Sequence, residues 1–388
     1  MSELERLIQE LCPNGVEFKK IKEVYKRIKG TPITAGKMKE IENPDGDIRV
    51  FAGGKTVINA FEEDIPNANI TRVPAVLVQS RGVIDAVYYD KPFTFKNEMW
   101  AYTTDNPVAV KFLYYVLKNN VQQFRDAASG MGALPQISLP VTEEFVMPVP
   151  PIEVQCEIVR ILDNFTELTA ELTAELTART KQYEYYRDNM LSFGDDIKKV
   201  KLSDVCKVYD GTHQTPNYTE TGIKFASVEN IQMPYNTKKH ISVEDYQKYK
   251  IKPQIGDVLM TRIGSIGVCY VIDRPDDLAY YVSLALLRPD ATVLDSRYLK
   301  HYIESIQGAK ELRKRTLVNA VPIKINKDDI GKISIVIPPL EKQKQIVKVL
   351  DRFDALCNDI SAGLPAEIEA RQKQYEYYRD KLLTFEPA

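Results

Sequence analysis

The amino-acid sequence predicts mixed α/β (α+β) globular domains in two copies, separated by two long α-helices packed as an antiparallel coiled coil. Three observations lead to this prediction. The octapeptide KQYEYYRD stands at 181–188 and again at 373–380, which indicates an internal duplication. Apolar residues recur at a spacing of three and four around each copy, as in a long amphipathic helix. Short apolar runs bounded by Gly, Pro and Asn precede each helix, as buried strands do.

The duplication extends through the whole chain as a pseudo-twofold internal repeat. Val76 matches Val258, Gly82 matches Gly264, and PPIEVQCEIVRILDNF (150–165) matches PPLEKQKQIVKVLDRF (338–353). Sequence identity between the two copies is high in the helices and low in the globular parts. We therefore expect the two helices to have the same role, while the globular domains share a framework but present different surfaces. The predicted organisation is a first globular domain at 1–150, a helix at 151–194, a second domain at 195–337 and a second helix at 338–388.

Each predicted long helix opens after a Pro-Pro pair, because proline is tolerated in the first turn of a helix but not further along. A long helix with a single apolar stripe needs a partner helix, and the other copy is the obvious candidate. An antiparallel pair places one globular domain at each end of a rod and brings the chain termini close together. The coiled-coil and partner residues predicted from the stripes are Ile158, Leu162, Phe165, Leu172, Tyr183 and Tyr186 in the first helix, and Ile346, Leu350, Phe353, Tyr375 and Tyr378 in the second.

The first helix contains a tract of period four, FTELTAELTAELTA (165–178). One interpretation is a tract of good helix formers with stacked leucines. The other is a ruler, because each added tetrapeptide would lengthen the helix by ~6 Å and turn it ~40° beyond a full turn. The second copy has SAGLP (361–365) in place of the tract, and Gly363 and Pro365 are expected to break or kink that helix.

Short apolar runs predict buried strands at 75–80 in the first globular domain and at 256–262 and 284–289 in the second. One amphipathic helix follows in each domain, at 108–119 in the first and at 297–307 in the second. A polar or basic loop comes next, FRDAASGMGALPQI (124–137) in the first domain and LRKRTLVNAVPIKI (312–325) in the second. Such a loop is suited to contact a phosphate backbone or a base edge. A solvated surface is the alternative interpretation.

Composition narrows the class of protein. With 388 residues, 44% of them hydrophobic, the chain can form two or three cores. No apolar run is long enough for a membrane span and the start does not resemble a signal peptide, so the expected location is the cytoplasm. The five cysteines form no CxxC pair and the three histidines match no metal spacing, so neither disulfides nor a metal site is predicted.

The charge distribution separates the globular parts from the helices. The formal net charge is −2, which argues against binding of nucleic acid through bulk positive charge alone. Segment 195–337 carries 22 Lys and Arg against 18 Asp and Glu, whereas 151–194 carries 4 against 8. Any polyanion is therefore expected on the globular parts, with the helices left for protein contacts.

The sequence contains no motif of a known catalytic site. It lacks glycine-rich nucleotide loops, HExxH and GxSxG. The segment DKPF (90–93) is similar to a motif of amino-methyltransferases, but no cofactor-binding glycine motif precedes it, and a turn is the better interpretation. The chain is predicted to be non-catalytic.

The two half-chains, each a variable globular domain followed by PPxExQxxIVxxLDxF and KQYEYYRD, resemble the specificity subunits of Type I restriction-modification systems. The TAEL tract resembles the subgroup with TAEL-type tetrapeptide repeats in the central helix. The resemblance implies that each globular domain is a target-recognition domain that reads one half of a bipartite, asymmetric site in double-stranded DNA. It also implies that the coiled coil docks two methyltransferase subunits and, through them, restriction subunits. No cofactor is expected on this chain, since S-adenosylmethionine, ATP and Mg would bind to the partner subunits.

Base edges are expected to be read from loops and strand ends by Arg, Lys, Asn, Gln, His and Ser side chains. The DNA-binding candidates are Gln79, Arg81, Arg125 and Ser129 in the first domain, and His213, Gln214, Arg262, Ser265, Arg313, Lys314 and Asn319 in the second. A framework salt bridge is the competing interpretation for any one of the charged residues. The tyrosines of the helical stripe are expected to pack between helices rather than stack on bases.

Two other functions compete with DNA recognition. An adaptor with two protein-binding domains on a coiled-coil spacer would have no affinity for duplex DNA, even with its partners present. A nuclease with scattered carboxylates would cleave DNA by itself in the presence of metal. The helical signatures argue against both.

Overall fold

The structure is a computed structural model that describes residues 3–129, 134–194, 197–214, 216–359 and 362–388. The elements up to the first long helix are α1 (Glu3–Leu11), β1 (Glu17–Lys20), α2 (Ile21–Val24), β2 (Lys26–Lys29), α3 (Ala35–Ile41), β3 (Ile48–Phe51), β4 (Val57–Ala60), β5 (Ala75–Gln79), β6 (Asp85–Tyr89), β7 (Phe93–Phe95), β8 (Trp100–Thr103), α4 (Pro107–Asn119), α5 (Val121–Asp126), α6 (Leu139–Glu143), β9 (Val146–Val149) and α7 (Ile152–Met190).

The elements after the first long helix repeat much of this order. They are β10 (Lys199–Lys201), β11 (Cys206–Asp210), β12 (Tyr218–Thr219), β13 (Ile223–Ala226), β14 (His240–Ile241), α8 (Val243–Gln247), β15 (Val258–Thr261), β16 (Cys269–Val271), β17 (Leu278–Tyr280), β18 (Leu284–Pro289), α9 (Ser296–Glu304), α10 (Ile306–Arg313), α11 (Lys327–Gly331), β19 (Ser334–Val336), α12 (Leu340–Asn358) and α13 (Leu364–Leu382).

The chain divides into two compact units, and both long helical segments contribute to each of them. The first unit comprises Met1–Leu172 and Ile368–Ala388, and the second comprises Thr173–Glu367. Each unit therefore contains one globular domain, one part of α7 and one part of the helical segment formed by α12 and α13.

The sheets of the two units correspond strand by strand. The first unit has an antiparallel sheet in the order β2-β8-β5-β6, a sheet in the order β4-β3-β7 and the pair β1-β9. The second has β11-β18-β15-β16, β12-β14-β13-β17 and the pair β10-β19. The parallel pairing of β3 with β7 has its counterpart in that of β13 with β17. The duplication predicted from the sequence is thus confirmed in the strand order, with β12 as an addition in the second unit.

The central strands are apolar throughout because both of their faces are covered. In β5, Val76 and Val78 enter the core that contains α4, whereas Leu77 enters a different core on the opposite face. In β15, Val258 and Met260 enter one core and Leu259 another. Alternate side chains of a strand point to opposite faces, so a strand buried on both sides needs a continuous apolar run.

The amphipathic helices α4 and α9 begin at side-chain caps. Asn106 accepts hydrogen bonds from the backbone N–H groups of Val108 and Ala109, and Pro107 occupies the first position of α4; both features favour a helix start. Asp295 caps α9 in the same way. The helix predicted at 297–307 ends earlier, at Glu304, because Ser305 adopts an extended backbone and its side chain accepts a hydrogen bond from Gly308 N to begin α10.

The first unit holds both ends of the chain. Val16 N donates to Glu386 O at 2.9 Å, and Ala388 N donates to Val16 O at 3.0 Å. Leu4 of α1 and Leu383 lie in the same core as α4. The predicted proximity of the chain termini is confirmed.

The long helical segment of the second copy is interrupted between Asn358 and Leu364. Gly363 N donates to Asp359 O at 2.8 Å, and a Cβ at Gly363 would lie 2.5 Å from the Ala355 carbonyl oxygen. Only glycine allows so close an approach of the backbone. Pro365 stands in the first turn of α13, where a missing N–H is tolerated. Ser361, also part of the predicted break, lies outside the described residues.

No helix of the described segments is both long enough and apolar enough to span a membrane.

Candidate nucleic-acid interface

In each unit, the turn after the central strand is hydrogen-bonded to the loop that follows α5 in the first unit or α10 in the second. In the first unit, Gly82 N donates to Pro135 O at 2.8 Å, and Ile137 N donates to Ser80 O at 2.9 Å. In the second, Gly264 N donates to Ile323 O at 2.9 Å, and Ile325 N donates to Arg262 O at 3.0 Å. We call these the 129–136 loop and the 317–324 loop.

Isolated β-bridges at equivalent positions join the two ends of each loop. The isolated bridges Arg81 to Gln136 and Ser129 to Gln136 in the first unit correspond to Ile263 to Lys324 and Leu317 to Lys324 in the second. Gly82 and Gly264 both have a φ of +80°, a left-handed conformation that favours glycine. The framework of the two loops is therefore shared, although their side chains differ.

Among the first-domain candidates, Arg81 and Ser129 are brought together through Gln136, and both are exposed. The Arg125 side chain is exposed and donates from Nε to the Ile84 carbonyl oxygen at 3.1 Å. Half of the 129–136 loop, at 130–133, lies outside the described residues. Three of the four first-domain candidates thus have surface positions on or beside this loop.

In the second domain, Ser265, Arg313, Lys314 and Asn319 are all exposed and belong to the 317–324 loop or to the two segments joined to it. His213 and Gln214 are also exposed but lie after β11. The His213 Nε2 atom is 3.8 Å from Asp210 Oδ2, and Asp210 also pairs with Arg262. The candidates of this domain therefore form two groups on one unit.

Two candidates have buried side chains. Gln79 is 3% exposed and Arg262 is 6% exposed. Arg262 pairs with Asp210 through Nη1 and donates from Nε to the Ile325 carbonyl oxygen at 3.2 Å, so its donors are used inside the domain. Burial argues against the predicted DNA contact for both residues, and the framework salt bridge is the better interpretation for Arg262.

The 317–324 loop is flanked in sequence by several cations, of which Arg313 and Lys314 were predicted and Lys310 and Lys324 were not. Lys310, Arg313 and Lys324 are exposed, and within the described ranges none of them has a carboxylate oxygen within 4.0 Å. Lys314 pairs with Glu311 at 2.6 Å. Cations without a partner are free to neutralise phosphates. Lys324 could have been found from the repeat, since it corresponds to Gln136 at the base of the other loop.

Each long helix is anchored to its domain by one carboxylate of the LDxF motif. Asp163 accepts from the Tyr115 hydroxyl at 2.5 Å and pairs with Lys111 at 2.7 Å. At the equivalent position, Asp351 accepts from His301 Nε2 at 2.8 Å and pairs with Arg297 at 2.8 Å. The sequence prediction missed these carboxylates as anchors, although LDxF is present in both copies.

The anchor of the second unit contains more ionisable groups than that of the first. Lys300 lies 3.1 Å from Glu304 and 2.8 Å from Asp354. Burial alone would raise the pKa of Asp354, but the Lys300 ammonium outweighs it and the pKa is lowered. Burial would also raise the pKa of Asp351, but hydrogen bonds from His301 and Arg297 outweigh the effect of burial, and this pKa is lowered too. Both carboxylates are therefore held in the charged form.

Aromatic stacks join helical segments in the same way in both units. The Phe165 and Tyr378 rings are stacked with centroids 5.5 Å apart, and their repeat equivalents Phe353 and Tyr186 are also 5.5 Å apart. The remaining stripe residues lie within the units. Ile158, Leu162, Tyr183, Ile346 and Leu350 are buried in the main cores, Tyr375 packs against the first of these cores, and Leu172 is half-buried.

One repeated tyrosine takes no part in this packing. Tyr185 is 66% exposed and its repeat equivalent Tyr377 is 64% exposed. Each is in edge contact with the ring of the next tyrosine along the helix, with ring centroids 5.6 Å and 5.4 Å apart. The sequence prediction did not single them out, although their exact recurrence is visible in the octapeptide.

A cleft in the second unit has a volume of about 730 Å³. Arg187, Arg274 and Lys300 line it together with Asp273 and Asp354. Charges of both signs are mixed along its walls, so it does not have the positive field that a DNA groove needs. None of the predicted DNA-binding residues lines it.

The described residues contain no group of three or more His, Cys, Asp or Glu side chains placed to hold a metal ion. The five cysteines have free thiols. Burial raises the pKa of Cys206 to about 12, which keeps that thiol protonated at neutral pH.

Comparison with known proteins gives a consistent result. Residues 13–182 and 194–370 each match the family described as Type I restriction modification DNA specificity domain. A Haemophilus influenzae protein named as a type I restriction enzyme specificity subunit, S.HindORF215P, is 34% identical over 288 residues, which cover 71% of this chain and 72% of that protein. The EcoR124I/EcoR124II specificity subunit of Escherichia coli is 30% identical over 362 residues, 87% of each chain.

The fold is also that of a solved relative. The crystal structure of a Type I restriction-modification S subunit from M. genitalium matches with a TM-score of 0.64 over 96% of this chain and 97% of that one, at 15% identity. With two family matches that coincide with the two halves of the internal repeat, the chain belongs to the specificity subunits of Type I restriction-modification systems, the non-catalytic subunits that carry two target-recognition domains.

Proposed function

We propose that this chain reads a bipartite, asymmetric DNA site, with one half-site recognised by each globular domain. The observation that carries the proposal is the pair of loops with the same closed base and different side chains: Gln136 stands where the other domain has Lys324, and Ser129 where it has Leu317. A shared framework fixes how each loop is presented, and different side chains on it give different base preferences.

The cations around the 317–324 loop supply the phosphate contacts that position a domain on DNA. Lys310, Arg313 and Lys324 would each neutralise a phosphate, and binding would weaken as salt rises. The formal net charge of −2 leaves much of the affinity for DNA to the partner subunits.

We place the two methyltransferase subunits on the helices, and the restriction subunits on the complex through them. The matched stacks Phe165 with Tyr378 and Phe353 with Tyr186 support an antiparallel coiled coil of the two helical segments, each unit using one stack. Tyr185 and Tyr377, identical in sequence context and exposure, support one docking surface used twice by the same partner, because exposed tyrosines are frequent anchors of protein interfaces.

We also propose that the chain belongs to the subgroup with tetrapeptide repeats, a proposal that the TAEL tract supports, and that this tract sets the gap between half-sites. Residues 165–178 lie within the continuous helix α7, and Thr166, Thr169 and Thr177 bond back to the carbonyl four residues earlier. S-adenosylmethionine, ATP and Mg would be held by the partner subunits in the cytoplasm, where the complex is expected to act.

The test is co-expression of the chain with its methyltransferase partner in a host without DNA methylation, followed by mapping of modified bases across the genome. A two-part asymmetric motif with a fixed gap supports the proposal. A stable complex that modifies no DNA and binds no duplex would favour the adaptor with two protein-binding domains instead.

A further inference from the structure

The tip of the 317–324 loop is apolar and projects into solvent. Val321 is 100% exposed and Val318 is 62% exposed, while Leu317 and Ile323 at the base are 43% and 39% exposed. An exposed single apolar residue is ordinary on a protein surface. Two valines at the tip of one short loop, with Leu317 and Ile323 below them, form a contiguous apolar patch, which is typical of an interaction site.

Backbone hydrogen bonds hold the base of the loop and the turn at Ala320, while the Val318 and Val321 side chains are exposed. Leu317 N donates to Lys324 O at 2.8 Å and Ala320 N donates to Leu317 O at 3.2 Å. Gly264 N and the Arg262 carbonyl hold the other side of the base. The tip is thus presented in a defined position, so its side chains can contribute specificity without a large loss of conformational entropy on binding.

The surroundings of the tip favour DNA over a protein as its occupant. Lys310 and Arg313 lie on α10, which leads into the loop, and Lys324 lies at its base. Within the described residues, none of the three has a carboxylate oxygen within 4.0 Å. Lysine is depleted at protein interfaces, whereas cations beside a reading element are the usual means of positioning it on the phosphate backbone. Charge complementarity therefore identifies a polyanion as the partner of this surface.

The size of the side chains favours contact with a base edge over insertion between bases. Wedges that unstack a base step are typically Phe, Leu, Ile, Met or Pro. The tip of this loop consists of Val318, Asn319, Ala320, Val321 and Pro322, and its two exposed valines are not wedge residues and are smaller than Phe, Leu, Ile or Met. The C5-methyl group of thymine is the apolar feature of the major groove, and small apolar side chains contact it.

We infer that Val321, with Val318 beside it, contacts a thymine methyl group in the half-site read by the second domain. The inference rests on the proposed function and adds a specificity-determining residue to it. It predicts that this half-site contains at least one A·T pair whose recognition depends on the methyl group. The tip of the first domain has a different sequence, GMGA at 130–133, so the prediction applies to one half-site alone.

The experiment uses the chain assembled with its methyltransferase partner and a duplex carrying the methylation motif mapped for the wild type. Deoxyuridine replaces each thymine of the two half-sites in turn, which removes only the methyl group. At one position of one half-site, affinity is expected to fall about fourfold, the equivalent of one buried methyl group. In the Val321→Ser complex, or in the Val318→Ser/Val321→Ser complex, this ratio is expected to fall to about one.

Val243→Ser is the matched control. Val243 is 49% exposed, but Glu244 and Asp245 share its helical turn, so it is not placed to meet DNA and should keep the fourfold ratio. Because the Val321 side chain is fully exposed, we expect its substitution to leave the fold unchanged. The thermal unfolding curve checks this.

Several outcomes would overturn the inference while leaving the proposed function intact. These are a second half-site of G·C pairs only, affinity that no thymine methyl group affects, or a methyl dependence that survives in the double variant. Loss of methyltransferase assembly in the Val321→Ser variant would also overturn it and assign the tip to a protein contact. If the wild-type complex fails to bind its mapped duplex, the proposed function itself fails.

Discussion

The anchor carboxylate Asp351 allows a prediction whose size follows from the contacts. Its Oδ1 atom accepts from His301 Nε2 at 2.8 Å, and His301 is 0% exposed. The other imidazole nitrogen, Nδ1, lies 3.1 Å from the Tyr183 hydroxyl. Because the Asp351 carboxylate only accepts, the hydrogen bond between them is donated by Nε2–H. In the Asp351→Ala variant the buried Nε2–H group has no acceptor.

An unsatisfied buried donor costs about 1–3 kcal/mol. The lost pair with Arg297 adds little, because the Arg297 side chain is 53% exposed and exposed ion pairs are worth about 0–1 kcal/mol. We therefore expect Asp351→Ala to lower the free energy of local opening of α9 and α12 by about 2 kcal/mol, which corresponds to about 30-fold faster amide exchange.

Native-state hydrogen exchange read by peptide is the assay, because it resolves the two units separately. Asp351→Asn is the control, since its amide oxygen can still accept from His301, and exchange should rise by less than tenfold. Asp163→Ala should have the corresponding effect on α4 and on the start of α7, since Tyr115 loses its acceptor there. Unchanged protection of α9 in Asp351→Ala, or equal loss in both units, would refute the anchoring role.

Three further predictions concern pH, the helix break and the helical tract. The lowered pKa values of Asp351 and Asp354 stabilise the second unit above the unfolded pKa of about 3.9, and this contribution is lost as pH falls below that value towards the folded pKa. Asp354→Asn should flatten the acid limb of its unfolding curve, and a curve unchanged in shape would contradict the pairing with Lys300. Gly363→Ala should destabilise the junction of α12 and α13 by about 1–3 kcal/mol, because its Cβ would meet the Ala355 carbonyl at 2.5 Å; urea unfolding measures this, with Ala362→Ser as the control. Deletion of 173–176 should shorten the gap of the methylated motif and keep both half-sites, whereas altered half-sites would disprove the spacer role.

Local patterns predicted the elements that local interactions determine. The apolar runs at 75–80 and 284–289 became β5 and β18 with at most one residue of difference at an end, because a strand buried on both faces has a continuous apolar sequence. The helix predicted to continue to 307 ended at Glu304, where the Ser305 side chain bonds to the backbone and starts a new helix. Serine competes with the helix for backbone hydrogen bonds, and periodicity alone does not detect that competition.

The candidate site was predicted less completely than the fold, because it depends on contacts between distant residues. Arg262 has a partner 52 positions away, Asp210, and this pairing favours a framework ion pair over the predicted DNA contact. Lys310 and Lys324 were missed because only the folded chain shows that, within the described residues, neither has a carboxylate oxygen within 4.0 Å. The repeat offered part of this information, since it aligns Lys324 with Gln136.

The central claim is that each globular domain reads its own half-site. The most direct test maps the methylated motif of the wild-type chain and that of a chimera in which residues 199–336 are replaced by the corresponding segment of the Haemophilus influenzae relative, both with the same methyltransferase partner. Our account predicts that one half-site changes while the other half-site and the gap are retained. A chimera that keeps both half-sites, or one that changes both, would contradict it.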